Sequence, residues 1–499
     1  MGIKSKLAKI YAKAVIRKNN KWIQDQTGSQ QKTFRQLISS AEHTAFGKDH
    51  NFSSITSYED FKKNVPVRDY EGLKPYIDRI IQGEYNVLWK GRPIYFAKTS
   101  GTTSGTKYIP ITKESMPYHI MGAKHALLHY IYETGKSDFV DRKMIFLQGS
   151  PILDAVGGIP TGRLSGIVAA YVPSYLQRNR MPSWETNIIP DWEKKVDAIV
   201  EETLKEDMSL ISGIPSWVQT YFEKLVNKTG KPVGEIFPHF NLFVYGGLNF
   251  EPYRNKFKEL IGKQVDTIEL YPASEGFFAY QDKQDRDDLL LLTNHGMFYE
   301  FIPADRFYEE NPPRLSLEEV EKGVNYALIL NTNAGLWGYN IGDTVMFTST
   351  NPYRLKVTGR IKHYISAFGE HVIAKEVETA MKEAMAQTGT VISEFTVAPQ
   401  IHPGKGLPYH EWLVEFDKEP QNLDKFASIL DQSMLKQNVY YKDLIDGKVL
   451  RPLVVTKVKK GGFDSYMKSI GKLGGQNKLP RLSDNRKIAN KLYELNQIL

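Results

Sequence analysis

The sequence predicts an α/β protein whose centre is a parallel sheet with helices on both faces, and three observations predict it. Short apolar runs alternate with helix-period segments through the middle of the chain, and glycine or proline stands at most of the joints. The chain of 499 residues, 41% hydrophobic and 12% aromatic, is long enough to bury a large core and to form more than one domain. Near residue 359 the alternation gives way to a different pattern.

Taken in order, residues 1 to 24 carry seven Lys or Arg and no acid. Ile3, Leu7, Ile10, Tyr11 and Val15 recur there at helical spacing, which predicts an amphipathic helix packed on the body by that stripe, with membrane-surface binding as the alternative. Pro93 to Ala97 and Tyr108 to Ile111 read as strands. Met144 to Leu147 and Leu210 to Gly213 are further strands, the second followed by a helix from Pro215 to Asn227 that proline opens at its first turn. Leu242 to Tyr245 is a strand ending in Gly246-Gly247, a helix from Glu251 to Ile261 follows, and Thr267 to Tyr271 is the next strand. Ligands of such sheets bind beyond the carboxyl ends of strands, so Gly246, Gly247 and the residues after Tyr271 are expected in one crevice. Asn325 to Asn331 is a strongly apolar strand, and a helix from Ala374 to Gln387 places Val377, Ala380, Met381 and Ala384 on one face.

Composition excludes several classes. No apolar run approaches the roughly 20 residues of a membrane span, and no secretory signal pattern is visible, so a cytoplasmic protein without stable membrane insertion is expected. Zero cysteines fit that compartment and exclude disulfides, thiolate metal sites and a cysteine nucleophile. The net charge of +8 is concentrated in the first 24 residues and in residues 448 to 499, leaving an acidic middle. A continuous nucleic-acid surface is therefore not expected.

The chemistry starts at Thr99-Ser100-Gly101-Thr102-Thr103-Ser104-Gly105-Thr106-Lys107, between two strands. Its glycines let backbone amides approach an anion, its hydroxyls donate hydrogen bonds and Lys107 adds charge, so it suits a polyphosphate such as that of ATP. It is not a P-loop, which needs four residues between its glycines, Lys followed by Ser or Thr, and then a helix. Tyr271-Pro272-Ala273-Ser274-Glu275-Gly276 sets one carboxylate among small residues at the predicted ligand edge, where a magnesium ion bridging phosphates needs an oxygen ligand and Tyr271 is able to stack on adenine. Asp343, after Gly342, is able to accept both hydroxyls of a ribose. Each stretch alone also reads as an ordinary turn; their company decides for a ligand.

That order of motifs, continued by Tyr339-Asn340-Ile341-Gly342-Asp343, Thr358-Gly359-Arg360-Ile361-Lys362, Gly369-Glu370 and Glu376-Val377-Glu378, resembles the adenylate-forming superfamily of acyl-CoA synthetases, luciferases and peptide-synthetase adenylation domains. Within it, the loop from Lys98, Gly335-Leu336-Trp337 ahead of Gly342-Asp343, and Gln476-Asn477-Lys478-Leu479-Pro480-Arg481 resemble the plant auxin-responsive acyl-acid-amido synthetases and their bacterial relatives. The resemblance implies a large adenylate-forming N-terminal domain, 1 to 358, with an antiparallel β portion beside the parallel sheet, and a smaller mobile α/β lid domain, 359 to 499. It implies a ligase that uses ATP and Mg2+ to activate a small carboxylic acid as an acyl adenylate and passes it to an amino acid. The alternatives are an acyl-CoA ligase and a non-catalytic nucleotide-binding relative.

By the same resemblance Glu275 holds the metal, and Thr99, Ser100, Gly101, Thr102, Thr103, Ser104, Gly105 and Lys107 hold the β- and γ-phosphates. Asp343 and Arg360 take the ribose, Gly246, Gly247 and Tyr271 flank adenine, and Ser274 joins the nucleotide site. Lys362 is the hinge and Lys478 the lysine that reaches the adenylating phosphate. Two departures stand out: Gly338 and Asn340 occupy positions where plant relatives carry arginine, and the C-terminal Ser-Gly-Lys signature of acyl-CoA synthetases is absent.

Overall fold

The computed structural model describes residues 2–100, 106–171, 178–247, 250, 253–307, 309–361, 364–365, 367–370, 372–470 and 479–499. The chain forms two compact units, one of residues 1–99, 107–189 and 196–361, the other of residues 100–106, 190–195 and 362–499.

Strands of the first unit, in chain order, are β1 (Tyr95–Ser100), β2 (Thr106–Ile111), β3 (Lys143–Phe146), β4 (Asp154–Val156), β5 (Ile159–Gly162), β6 (Arg180–Met181), β7 (Met208–Ser212) and β8 (Leu242–Gly246). They continue with β9 (Asp266–Ala273), β10 (Gly276–Tyr280), β11 (Leu289–Leu291), β12 (Met297–Pro303), β13 (Asn325–Thr332), β14 (Tyr339–Thr350) and β15 (Tyr353–Arg360). An eleven-stranded sheet runs β12-β13-β14-β15-β11-β10-β9-β8-β7-β3-β6, and a smaller one runs β2-β1-β5-β4.

The large sheet is parallel from β9 to β6 and antiparallel from β9 to β12. This is the mixed α/β architecture the sequence leads one to expect. The central parallel strands β7 and β8 are buried on both faces, as in β8, Leu-Phe-Val-Tyr-Gly, because crossover helices cover them. One such helix, Pro215–Thr229, opens on its proline and stops at Gly230, whose φ of 69° lets its N–H close on the Val226 carbonyl at 2.8 Å. The antiparallel half carries the main core, with Trp337, Tyr339, Phe301 and Leu328 fully buried.

The first helix, Ile3–Ile23, corrects one expectation. Its buried residues are Ser5, Ala12, Ile16 and Asn19, whereas Ile3, Leu7, Ile10 and Tyr11 are 79%, 61%, 69% and 47% exposed. Ala12 and Ile16 pack with Ala126, Tyr130 and Ile131 of the helix Met116–Thr134. The Ser5 hydroxyl sits 2.8 Å from the Ser137 carbonyl oxygen and 2.5 Å from the Asp141 carboxylate. Small side chains win the inner face because they let the two helices approach closely and because Ser5 finds partners there.

The second unit has its own three-stranded sheet of β18 (Val391–Gln400), β19 (Tyr409–Lys418) and β20 (Val454–Val458), antiparallel then parallel, with β16 (Tyr364–Ile365) paired to β17 (Val372–Ile373). Its helix Ala374–Thr388 buries Val377, Ala380, Met381 and Ala384, the face the spacing predicts.

Candidate active site

The site grows from the carboxyl ends of β8 and β9, which lie side by side with Gly246 opposite Leu270. The two glycines there have different reasons. A Cβ on Gly246 would fall 2.4 Å from the Leu270 carbonyl oxygen, so close strand packing requires it, while Gly247 turns the chain with a φ of 81° toward open space.

After β9 the chain reverses through Ser274 and Glu275 alone, since Ala273 pairs with Gly276. Both are half-buried in that turn. A Cβ at 276 would meet the Met297 sulfur at 2.4 Å, so any larger residue there would have to displace the Met297 side chain. The short turn leaves Glu275 little freedom of direction.

From the other side comes the start of β14. The Tyr339 hydroxyl donates to Glu275 Oε1 at 3.3 Å, and four residues on, Asp343 accepts from the buried Tyr271 hydroxyl at 2.6 Å. Two tyrosine–carboxylate pairs thus tie the same two segments in opposite senses. Both rings belong to the main core, and Tyr271 packs edge-on to Phe278 at 4.9 Å, so each hydroxyl is held by a covered ring. Asp343 stands opposite Arg360 in the β14–β15 register.

The backbone that sets β14 explains the two departures from the plant pattern. Gly338 has a φ of 56°, and a Cβ there would lie 2.5 Å from the Pro66 carbonyl oxygen. Its N–H donates to Asn331 Oδ1 at 2.7 Å, and Asn340 Oδ1 accepts the Gly342 N–H at 2.8 Å. Arg68 clamps this stretch by its backbone, donating to the Gly338 carbonyl and accepting from the Asn340 N–H, both at 2.8 Å. An arginine at 338 would break this arrangement, and Asn340 supplies a local cap to the turn before Asp343.

Of the residues named from sequence, the structure brings together Gly246, Gly247, Tyr271, Ser274, Glu275 and Asp343, with the Arg360 backbone alongside. Thr99 and Lys107 lie on the separate four-stranded sheet, where Lys107 is buried with its ammonium 5.7 Å from the centre of the Tyr70 ring. The Tyr70 hydroxyl accepts the Tyr108 N–H at 2.9 Å, so one tyrosine positions this end of the loop. Gly101, Thr102, Thr103, Ser104, Gly105, Lys362 and Lys478 lie outside the described residues, as do the side chains of Ser100 and Arg360. Sequence reasoning missed Tyr70 as a positioning group, and it missed the Tyr339 hydroxyl, whose partner is 64 residues away in sequence.

Among the described residues no group of three or more His, Asp or Glu side chains is arranged to hold a metal by itself. A lone carboxylate such as Glu275 fits magnesium, which takes few protein ligands and completes its shell with phosphate and water oxygens.

Comparison with known proteins follows this geometry. The GH3 family N-terminal domain matches residues 16–191, the GH3 family central domain residues 290–360 and the GH3 family C-terminal domain residues 375–487. Indole-3-acetic acid-amido synthetase GH3.3 of Arabidopsis thaliana is 23% identical over 538 residues, spanning 91% of this chain and 88% of its own. Jasmonoyl–L-amino acid synthetase JAR4 of Nicotiana attenuata is 22% identical over 529 residues, spanning 91% and 90%. The 4-substituted benzoates–glutamate ligase GH3.12 of Arabidopsis thaliana is 22% identical, spanning 84% and 87%. Among solved structures, the GH3.15 acyl acid amido synthetase superposes with a TM-score of 0.61 at 17% identity over 97% of this chain and 96% of its own. A 2-hydroxyisobutyryl-CoA ligase does so with 0.57 at 14% identity, over 96% and 92%. These likenesses establish the adenylate-forming fold, and with all three parts of the family matched in order along the sequence, the chain belongs to the GH3 family.

Proposed function

We propose that this protein is an ATP-dependent, AMP-forming ligase that activates a small carboxylic acid and joins it to an amino acid. The observation that carries the reading is the reciprocal pairing of Tyr271 with Asp343 and of Tyr339 with Glu275, which holds two carboxylates at one sheet end in a chain of this family. Preplaced charges of that kind reorganise little as a reaction proceeds, and so lower its barrier.

In the proposed sequence the acid's carboxylate oxygen attacks the α-phosphorus of ATP, pyrophosphate leaves, and an acyl adenylate forms. The amine of the amino acid then attacks the acyl carbon, the C–O bond to AMP breaks, and the amine proton passes to a base. Asp343 accepts the ribose hydroxyls, with Arg360 beside it, and Gly246 and Gly247 flank adenine, Gly247 facing open space. Tyr271, its ring covered, acts as a positioning residue for Asp343 and borders the adenine site. Ser274 lines the nucleotide edge. Thr99, Lys107 and the loop between them receive the β- and γ-phosphates. Magnesium, held by Glu275, would neutralise phosphate charge as it builds. Residues 359 to 499 act as the mobile lid, turning at Lys362 and bringing Lys478 to the phosphate. A cytoplasmic setting suits an ATP-consuming ligase, and among the described residues no helix is long and apolar enough to cross a membrane.

Pyrophosphate exchange and hydroxylamine trapping with indole-3-acetate, jasmonate and 4-substituted benzoates test the first half-reaction. Competition between amino acids and CoA for the trapped adenylate tests the second. No exchange with any acid leaves only a nucleotide binder; consumption by CoA and not by amino acids makes the protein an acyl-CoA ligase instead.

A further inference from the structure

We infer that the helix Ile3–Ile23 docks this protein on a membrane surface rich in anionic lipid. The inference stands apart from the reaction proposed above. It starts from the inverted packing of that helix: the face held by the body is Ser5, Ala12, Ile16 and Asn19, and the face turned to solvent carries Ile3, Leu7, Ile10 and Ala14 in one lengthwise stripe, with Tyr11 at its edge. A surface helix buried along one side ordinarily presents polar residues on the other. Here the outer side is apolar as well, and among the described residues only the inner side packs on the body.

Charge identifies the occupant. Projected down the helix, Lys6, Lys13 and Arg17 border the stripe on one side and Lys4 and Lys18 on the other, and all five are exposed. Lys9 and Lys21 complete seven cations, and no acid occurs in the helix. The Lys124 ammonium, from the neighbouring helix, lies 4.9 Å from the centre of the Tyr11 ring and adds to the same field. Asp141, which meets the start of the helix, is engaged by the Gly2 N–H at 2.7 Å and by Ser5. A protein groove that takes a helix reads a few anchor positions and sets charges of both signs against it. Cations of one sign along the whole length of a convex apolar stripe match instead a laterally uniform negative plane, with the aliphatic side chains entering between headgroups and the ammonium groups meeting phosphates. The buried face fixes the helix before contact, so docking orders little new chain.

The test is co-sedimentation of the full chain with vesicles of phosphatidylcholine alone or with one-third phosphatidylglycerol, at low and high salt. The expected result is pelleting with the anionic vesicles only, reversed by salt, and weakened at least about tenfold by Leu7→Asp with Ile10→Asp and by Lys6→Gln with Lys13→Gln. These side chains are exposed, so thermal unfolding and pyrophosphate exchange should match the parent protein. Failure to pellet with anionic vesicles, or pelleting indifferent to both variant pairs, overturns the inference. So does a concentration-dependent dimer in sedimentation velocity that Leu7→Asp dissolves, because the stripe then belongs to a second copy.

Discussion

Tyr271 and Tyr339 each couple a buried ring to a carboxylate, and the coupling fixes where the two carboxylates stand in the folded chain. Tyr271→Phe keeps the ring and its packing on Phe278 but removes a hydrogen bond to a charged acceptor, the kind that contributes about 1.5–3 kcal/mol. Asp343 then gains rotamer freedom, so the KM for ATP should rise several-fold while the KM for the carboxylic acid changes little; steady-state kinetics with each substrate varied in turn will show it. An equal rise in both would mean that the tyrosine supports the fold generally. Glu275→Gln is the sharper change, since the amide still offers Tyr339 an acceptor but has no charge for magnesium. Adenylation should fall at least about 100-fold in pyrophosphate exchange, with the Mg2+ optimum displaced upward. An unchanged rate removes Glu275 from the scheme. The motifs identified both carboxylates from sequence, because local patterns mark where acids stand among glycines. Their partners were illegible: a contact between residues 72 apart, such as Tyr271 and Asp343, exists only once β9 and β14 have been folded together.

At the scale of elements, the helix Met116–Thr134 carries a cluster of buried histidines. His119, His125 and His129 on it are buried, as is His295 from the turn between β11 and β12, and their Nδ1 atoms meet no protein hydrogen-bond partner among the described residues. His125 lies 6.0 Å from His295 between ring centres and His129 5.4 Å from Tyr280. Burial is the first cause in each case and lowers the three helix histidines to about 4 and His295 to about 3, from an ordinary 6.5. Lys124 and Lys18 near His125, and Arg354 and Lys283 near His129, push the same way, and only Asp282 opposes them. The unfolded chain therefore binds protons that the folded chain refuses between pH 6.5 and about 4, and stability should fall across that window as pH drops. Each fully refused proton gives a slope of about 1.4 kcal/mol per pH unit. Urea unfolding followed by tryptophan fluorescence should give a midpoint that is level above pH 7 and declines through pH 5; a level midpoint throughout would contradict the burial. The parallel strands were readable beforehand as short continuous apolar runs, and the helix Ala374–Thr388 because burial of one face imposes a period on it. The orientation of Ile3–Ile23 was not, since an apolar stripe shows that a helix is amphipathic without showing which face the body takes, and Ser5 outcompetes Leu7 only through Ser137 and Asp141.

For the molecule as a whole, the function proposed above asks one site to serve two reactions that need different neighbours, and in that proposal the second unit, which has a core of its own, would change them. That core joins Ala398, Leu413, Val458, Phe463, Leu479, Ile488 and Leu492. The family was legible because motifs lie along the chain in a fixed succession; the way residues 479–482 attach was not. Leu479 is buried in this core, Leu482 is fully buried opposite Val397 of β18, the Pro480 carbonyl accepts from the Thr396 hydroxyl at 2.7 Å, and the Arg481 carbonyl accepts the Val397 N–H at 3.0 Å. Lys478 is the residue directly before this pinned stretch. If adenylation needs its charge on the phosphates and conjugation does not, Lys478→Ala should separate the two steps. Pyrophosphate exchange should drop at least about 100-fold, while the transfer of a chemically supplied acyl adenylate to an amino acid stays within about threefold of the parent. Leu482→Ala supplies the contrast: it loosens the attachment by leaving a cavity beside β18, costs about 2–5 kcal/mol of stability in that unit, and should slow both steps together. Equal losses of exchange and transfer in Lys478→Ala would show that the lysine serves the unit's structure and that another group meets the phosphate.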